Sequence, residues 1–173
     1  MTTTETPTLT GEKAELLGAL AKHRFLFRHT VRGLTDEQAA ATPTASELCL
    51  GGLIKHVAHG ERGWLRFVVE GTAAMAMHEN SYAEHAASFR MLPGETLEGL
   101  LAEYEAIAAE TERIVAELPS LDVAHPLPEA PWFEPGEGWS ARRVLVHVIA
   151  ETAQHAGHAD ILRETIDGQK SMG

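Results

Sequence analysis

The stretch from Arg142 to Glu164, RRVLVHVIAETAQHAGHADILRE, constrains the fold more than any other part of the sequence. Its apolar side chains recur at steps of three and four residues, which is the spacing of one face of an α-helix. The stripe consists of Val144, Val148, Glu151, His155, Ala159 and Leu162. Because Glu151 and His155 stand where a buried face would carry Leu or Val, the pattern predicts a long helix with two polar side chains in its buried seam.

The pair Glu151 and His155 indicates a metal site. A buried carboxylate is unfavourable unless it faces a partner charge, becomes neutral through a shifted pKa, or binds a metal ion. Side chains four residues apart on a helix have Cβ atoms about 5 to 6 Å apart, close enough to share one ion. Two alternatives remain open: Glu151 could pair with an arginine of another helix, and His155 taken alone could be a hydrogen-bonded core histidine. We predict that the pair binds a metal and that a third ligand comes from another helix.

The best source of a third ligand is GGLIKHVAHGE, residues 51–61, where His56 follows Leu53 by three residues on a strongly apolar helix. His59 lies three residues further on and is the alternative ligand. We prefer His56 because Leu53 and Gly60 share its face, whereas His59 has more polar neighbours. These neighbours are Lys55, Arg62 and Arg66.

Two more histidines lie close to the pair on the same helix. His147 precedes Glu151 by four residues, and His158 follows His155 by three. Each could be a fourth ligand, a residue that contacts a ligand, or plain surface. The predicted ligand set is therefore His56, Glu151 and His155.

Glycines also fall on the face that carries His56. Gly60 and Gly63 are each unfavourable in a helix by about 1 kcal/mol relative to alanine. They align with His56 on one stripe. We expect them to permit the close approach of another helix or of a ligand.

Three other segments share the helical periodicity. The four predicted long helices run from Thr10 to Arg32, from Leu50 to Glu70, from Thr96 to Leu118, and from Ser140 to Asp167. Ser140 is a good N-cap for the last of them, and Thr35 and Gln38 form a capping box for an additional short turn of helix. The glycines placed to end helices are Gly33, Gly71 and Gly168.

These segments predict an all-α fold, a four-helix bundle whose two long connections are residues 72–94 and 120–138. The first connection has room for one short helix, and no segment has the alternating pattern of a β-strand. A loop as long as the second is usually functional. We expect residues 1–9 to form a disordered tail and residues 10–173 to form a single domain.

Composition limits the partners of the protein. The formal net charge of −11 argues against nucleic acid, which needs a basic face. The single cysteine, Cys49, excludes an intramolecular disulfide, and the N-terminus MTTTETPTLT lacks the features of a signal peptide. No apolar stretch approaches the length of about 18 residues that spans a membrane. We therefore expect a cytoplasmic protein with no membrane partner.

The segments GGLIKHVAHGER and HVIAETAQHAGHADILRETIDG resemble the DinB/YfiT-like metalloprotein superfamily. More narrowly, they are similar to the branch that includes mycothiol S-transferases and the metal-binding domain of mycothiol-dependent maleylpyruvate isomerase. The resemblance covers nearly the whole chain and implies a four-helix bundle that binds a divalent metal, commonly zinc or nickel. Many members use three histidines, but Glu151 occupies the first position of the fourth-helix pair here, as in the isomerase-like branch. The resemblance thus implies His56, Glu151 and His155 as ligands.

The isomerase carries an additional C-terminal domain that helps to form its active site. The present sequence ends at Gly173, shortly after the fourth helix. The resemblance is therefore not expected to extend to isomerase activity.

The leading hypothesis is a metal-dependent thiol S-transferase, in which the ion binds the sulfur of a low-molecular-weight thiol, mycothiol, and presents the thiolate to an electrophile. The side chains that could bind the polar part of the thiol or move a proton are His59, His158, Trp64 and Arg163. Arg163 is equally well interpreted as a surface partner of Glu164 or Asp160.

Two other functions remain as alternatives, a metal-dependent hydrolase and a non-catalytic metal-binding stress protein. One carboxylate and two imidazoles suit zinc, nickel, iron or manganese. A homodimer formed through a face of the bundle is compatible with the predicted fold.

Overall fold

Four long helices pack side by side in the computed structural model, which describes residues 9–171. The helices are α1 (Glu12–His29), α2 (Asp36–Ala40), α3 (Leu50–Glu70), α4 (Ser81–Ser88), α5 (Leu97–Glu117) and α6 (Ala141–Asp167), with a 3₁₀ helix at Gly71–Met75. The long helices α1, α3, α5 and α6 contact one another, α1 packing on α5 and α6, and α3 on the same two. The prediction of an all-α fold is therefore confirmed, and these contacts form the bundle.

The core of the bundle consists of two apolar clusters at opposite ends of α3. One cluster surrounds Leu53 and contains Phe27 and Tyr104. The other surrounds Phe67 and contains Leu20 and Val144. His56 lies in the N-terminal part of α3, between Leu53 and Val57 of the first cluster, so packing holds the helix on both sides of it.

Several predicted helix ends agree with the structure because they depend on local hydrogen bonds. The Ser140 hydroxyl accepts a hydrogen bond from the Arg143 N–H at the start of α6, and Gly168 ends that helix in the left-handed conformation. Thr35 and Gln38 form both bonds of the capping box. The end of α1 differs: the helix stops at His29, and the chain turns through the next residues to Gly33.

The second long connection contains two strands that the sequence does not predict. Strands β1 (Ala124–Pro126) and β2 (Gly138–Ser140) pair antiparallel, with His125 opposite Trp139. A strand of three residues is too short to show a period of two, so the pairing depends on how the connection folds back. Trp139 stacks on Trp64 of α3, with ring centroids 4.7 Å apart. The connection is thereby attached to α3.

The first long connection folds against the N-terminal part of α3. A Cβ added to Gly52 would lie 1.9 Å from the carbonyl oxygen of Phe89, so only glycine permits this approach. Another helix does not approach Gly60 or Gly63, because a Cβ built on either meets no atom within 4 Å beyond the neighbouring backbone of α3 itself. Gly60 lines the cavity, and the close approach of a ligand there stays a prediction. The close approach of the connection occurs earlier on α3, at Gly52.

The predicted N-terminal tail, residues 1–9, lies almost entirely outside the part of the chain that the structure describes. Residues 1–8 lie outside the described part of the chain. Leu9 is half-buried against the cluster around Phe67. None of the helices between residues 9 and 171 is both long and apolar enough to cross a membrane.

Candidate metal centre

Three side chains that the sequence selects come together between α3 and α6. His56 projects from α3, and Glu151 and His155 project from α6 one turn apart. One ligand atom of each, two imidazole nitrogens and a carboxylate oxygen, lies within 4.8 Å of the others. The rings of His56 and His155 meet edge to face with centroids 5.0 Å apart. The donors therefore converge on one point from two helices.

Glu151 departs from the prediction that it lies in the buried seam of α6. Its side chain is 42% exposed. The neighbouring Thr152 is buried in its place, and its hydroxyl donates a hydrogen bond to the carbonyl of Val148. The packing of α1 and α3 sets how far α6 is rotated about its axis, and this rotation turns Glu151 towards the edge of the seam.

No arginine pairs with Glu151 among residues 9–171. Within that range the one side chain at ion-pair distance from Glu151 is the imidazole of His155, whose Nε2 lies 3.7 Å from a carboxylate oxygen. An oxygen donor beside two imidazoles, with no arginine or lysine neutralising it, suits a divalent cation. The donor set therefore fits a metal ion.

His56 is held by residues from the end of α4. Its Nδ1 lies 2.9 Å from the Ser88 hydroxyl, and its ring stacks on Phe89 with centroids 3.8 Å apart. Burial, together with the neighbouring imidazoles of His155, His85 and His59, lowers the pKa of His56 to about 4. At neutral pH the imidazole is uncharged, so one ring nitrogen has a free electron pair for a cation.

His155 is the most buried of the three, with 8% of its surface exposed. Burial lowers its pKa, while the charge of Glu151 opposes that shift. Its Nδ1 lies 3.4 Å from the Nδ1 of His158. His158 therefore touches the site through His155.

A cavity of about 480 Å³ opens beside the three side chains. Its lining includes His56 and Glu151, and residues of α3 and α4 complete it. Those residues include His59, Trp64, Glu84 and His85. A small molecule in this cavity would meet the edge of the cluster at Glu151.

Two of the other predicted residues, His59 and Trp64, lie in the cavity wall. The Nε2 of His59 is 3.2 Å from a carboxylate oxygen of Glu103 on α5. Trp64 is half-buried between Trp139 and the cavity.

The remaining two, His147 and Arg163, are held elsewhere by specific contacts. The His147 ring meets the edge of Trp64, with centroids 4.9 Å apart. Arg163 is buried and donates hydrogen bonds to the carbonyls of Thr30 and Arg32. Its acidic partner is Asp167, not Glu164 or Asp160, so it joins the end of α1 to α6.

The structure also contains a buried carboxylate that the sequence analysis did not select. Glu61 of α3 is fully buried and accepts hydrogen bonds from Arg24 of α1 and from the Thr111 hydroxyl of α5. Both charged residues stand in apolar stripes, Glu61 between Ala58 and Leu65, and Arg24 between Leu20 and Phe27. The periodicity that selected Glu151 would have selected them too. Ser88, by contrast, gives no such signal.

Comparison with known proteins adds two findings. Residues 15–168 match the family model described as Mycothiol-S-transferase. A conserved protein from Enterococcus faecalis has a similar solved structure, with a TM-score of 0.67, 15% sequence identity, and coverage of 93% of this chain and 100% of the other. At this identity the likeness concerns the fold alone. No curated protein sequence matches this chain significantly.

Proposed function

Since the chain belongs to the mycothiol S-transferase family, a DinB/YfiT-like family, we propose that it is a metal-dependent S-transferase that joins the sulfur of a low-molecular-weight thiol to an electrophile. The thiol that we propose is mycothiol. The observation that carries the proposal is the convergence of His56, Glu151 and His155, with ligand atoms within 4.8 Å of one another.

In this proposal the three side chains hold a divalent ion, zinc or nickel. Ligand atoms that lie about 2 Å from a zinc ion are at most about 4 Å apart, so small side-chain rotations would close the cluster around one. Three protein ligands leave a coordination position open, as in catalytic zinc sites. When bound, the ion favours the thiolate form of a coordinated thiol, which is the nucleophilic form.

The residues of the chain have separate tasks in the proposed reaction. The exposed side of Glu151 borders the cavity, so the thiol would enter there. In this proposal His59, which lines the cavity, accepts at Nδ1 the proton that the thiol loses, while its Nε2 faces the carboxylate of Glu103 at 3.2 Å. Trp64 offers a flat apolar surface further along α3. The thiolate sulfur would form the new bond to the electrophile, whose leaving group departs with the bonding electron pair.

A thiol-dependence assay tests this function. Metal-loaded protein is mixed with monochlorobimane in the presence of mycothiol, bacillithiol or glutathione. We expect conjugation with mycothiol above the uncatalysed rate and little with the other thiols. Turnover of ester or amide substrates without any thiol would favour the hydrolase, and binding of metal with no turnover in either assay would favour the non-catalytic protein.

Elemental analysis tests the ligands separately from the activity. Glu151→Gln and His155→Ala each change a direct ligand, so each protein should contain less zinc than the wild type. Loss of a residue that only contacts a ligand commonly weakens metal affinity by about 10-fold to 100-fold, and we expect a larger loss here. Glu164→Gln is a matched control, because Glu164 is an exposed glutamate on the same helix. Equal metal content in all four proteins would refute the site.

A further inference from the structure

The connection between α3 and α5 brings Ser88 into contact with the His56 ring, in the wall of the cavity beside the cluster. Ser88 is the last residue of α4. Its hydroxyl oxygen lies 2.6 Å from the carbonyl oxygen of His85 and 2.9 Å from the Nδ1 of His56. One hydroxyl group thus stands between two possible partners.

The Ser88 hydroxyl has a single proton, and this fixes the direction of its hydrogen bonds with the His85 carbonyl and with Nδ1 of His56. A carbonyl oxygen can only accept, and two oxygens 2.6 Å apart repel unless a proton lies between them. The single proton of the Ser88 hydroxyl must therefore point at the His85 carbonyl. Towards His56 the hydroxyl oxygen can only accept, so Nδ1 of His56 must carry a proton.

The two nitrogens of a neutral imidazole are then distinct. When Nδ1 is the donor, Nε2 holds the free electron pair. Phe89 stacks on the face of the same ring with centroids 3.8 Å apart, which restricts its rotation. Consecutive residues, Ser88 and Phe89, thereby determine both the tautomer and the plane of His56.

We propose that Ser88 is a positioning residue, which holds His56 in the tautomer that leaves Nε2 free to bind the metal ion. This inference rests on the metal site of the proposed function. Hydrogen-bond partners on the second nitrogen of a ligating histidine commonly contribute 10-fold to 100-fold to metal affinity. Ser88 supplies such a partner from a helix with no ligand of its own.

The other imidazole of the cluster provides a contrast. Nδ1 of His155 faces Nδ1 of His158 at 3.4 Å, and either nitrogen can be the donor there. That contact leaves the tautomer of His155 undetermined. Replacement of Ser88 should therefore affect the ring nitrogens of His56 and leave those of His155 unchanged.

The test measures the tautomer in metal-free protein and the zinc affinity in parallel. Long-range ¹H–¹⁵N correlation spectra of the wild type above pH 7 should show His56 protonated at Nδ1. Ser88→Ala should lose this preference and bind zinc about 10-fold to 100-fold more weakly. Ser88→Thr, which keeps a hydroxyl group, should restore both properties.

Ser81→Ala is the matched control. Ser81 is the first residue of α4, and its hydroxyl accepts a hydrogen bond from the backbone N–H of His78 and not from the His56 ring. This variant should keep the wild-type tautomer and zinc affinity, which separates the role of Ser88 from general loosening of α4.

Two results would refute the role of Ser88, and a third would refute the metal site of the proposed function. A proton on Nε2 of His56 in the wild type, or equal zinc affinity of Ser88→Ala and wild type, would refute the role of Ser88. A wild type with the Nδ1 proton that binds neither zinc nor nickel would refute the metal site of the proposed function, while the effect of Ser88 on the tautomer would stand.

Discussion

Two carboxylates on facing helices have opposite surroundings. Glu61 is buried, and Arg24 and Thr111 compensate its charge with hydrogen bonds. Glu151 is half exposed, and among residues 9–171 the one side chain at ion-pair distance from it is the imidazole of His155. A carboxylate whose charge is already paired has little to offer a cation, whereas Glu151 keeps its oxygens available. We assign Glu61 to stability and Glu151 to binding.

The buried ion pair of Arg24 and Glu61 should contribute to the stability of the fold. Arg24→Met should lower the free energy of unfolding by about 3 to 5 kcal/mol, because it leaves the carboxylate of Glu61 buried without its charged partner. Urea denaturation measures this change. Arg113→Met is the control: its ion pairs with Glu110 and Glu117 are exposed, so the loss should stay within about 1 kcal/mol. Similar losses in both variants would contradict the assignment of Glu61.

The buried histidines of the site should make the stability of the metal-free protein depend on pH. Burial lowers the pKa of His56 to about 4, below the value of about 6.5 expected in the unfolded chain. Between these values the unfolded state binds more protons than the folded state, so stability falls as the pH falls through this window. His155 acts in the same direction. In metal-free protein, urea denaturation from pH 8 to pH 4 should show a steeper loss for wild type than for His56→Gln. Parallel curves would contradict the burial of a neutral His56.

At the level of elements, the contact between α3 and the chain after α4 positions the site. A Cβ on Gly52 would meet the backbone of Phe89, which cannot rotate away as a side chain could. At Gly51 the nearest atoms belong to the flexible side chain of Met91, which can move. Because Phe89 stacks on His56, the geometry of the ligand depends on a glycine one turn earlier on the same helix.

We expect Gly52→Ala to displace Phe89 and Ser88 from His56. The variant should lose stability, by about 1 to 3 kcal/mol as in other overpacked sites, and should bind zinc more weakly than the wild type. Denaturation and zinc titration measure the two effects. Gly18→Ala is the control, since a Cβ there meets nothing within 4 Å, and it should stabilise α1 by about 0.5 to 1 kcal/mol. Unchanged zinc affinity in Gly52→Ala would show that the contact does not position His56.

At the level of the whole molecule, a metal ion held by His56, Glu151 and His155 would link α3 to α6. A ligand that binds only the folded state stabilises it by about 2.7 kcal/mol at a concentration 100 times its Kd. For a domain of this size we expect Tm to rise by about 5 to 10 °C with zinc and to fall again with a chelator. Calorimetry measures the shift. Glu151→Gln should show almost none, and a full shift in that variant would place the metal elsewhere.

Association of two copies through a face of the bundle stays a prediction. Large apolar side chains are exposed on α1 and α6, including Phe25, Val146 and Ile161. Light scattering measures the mass in solution directly.

The sequence by itself was sufficient for features that depend on residues within a turn or two of one another. Helical periodicity located the four long helices, and the capping signals at Ser140 and Gly168 located the ends of α6. The spacing of Glu151 and His155 put them one turn apart on one helix for the same reason. Local geometry is encoded locally, so these features could be predicted.

Only the tertiary structure decided which polar residues are buried and what touches them. The rotation of each helix about its axis depends on the packing of distant segments, and this rotation buried Glu61 and Thr152 and left Glu151 at the edge. The position of Ser88 beside His56, 32 residues away in sequence, depends on the close approach at Gly52. Contacts between residues so far apart are set by the packing of whole elements, and no spacing along the chain records them.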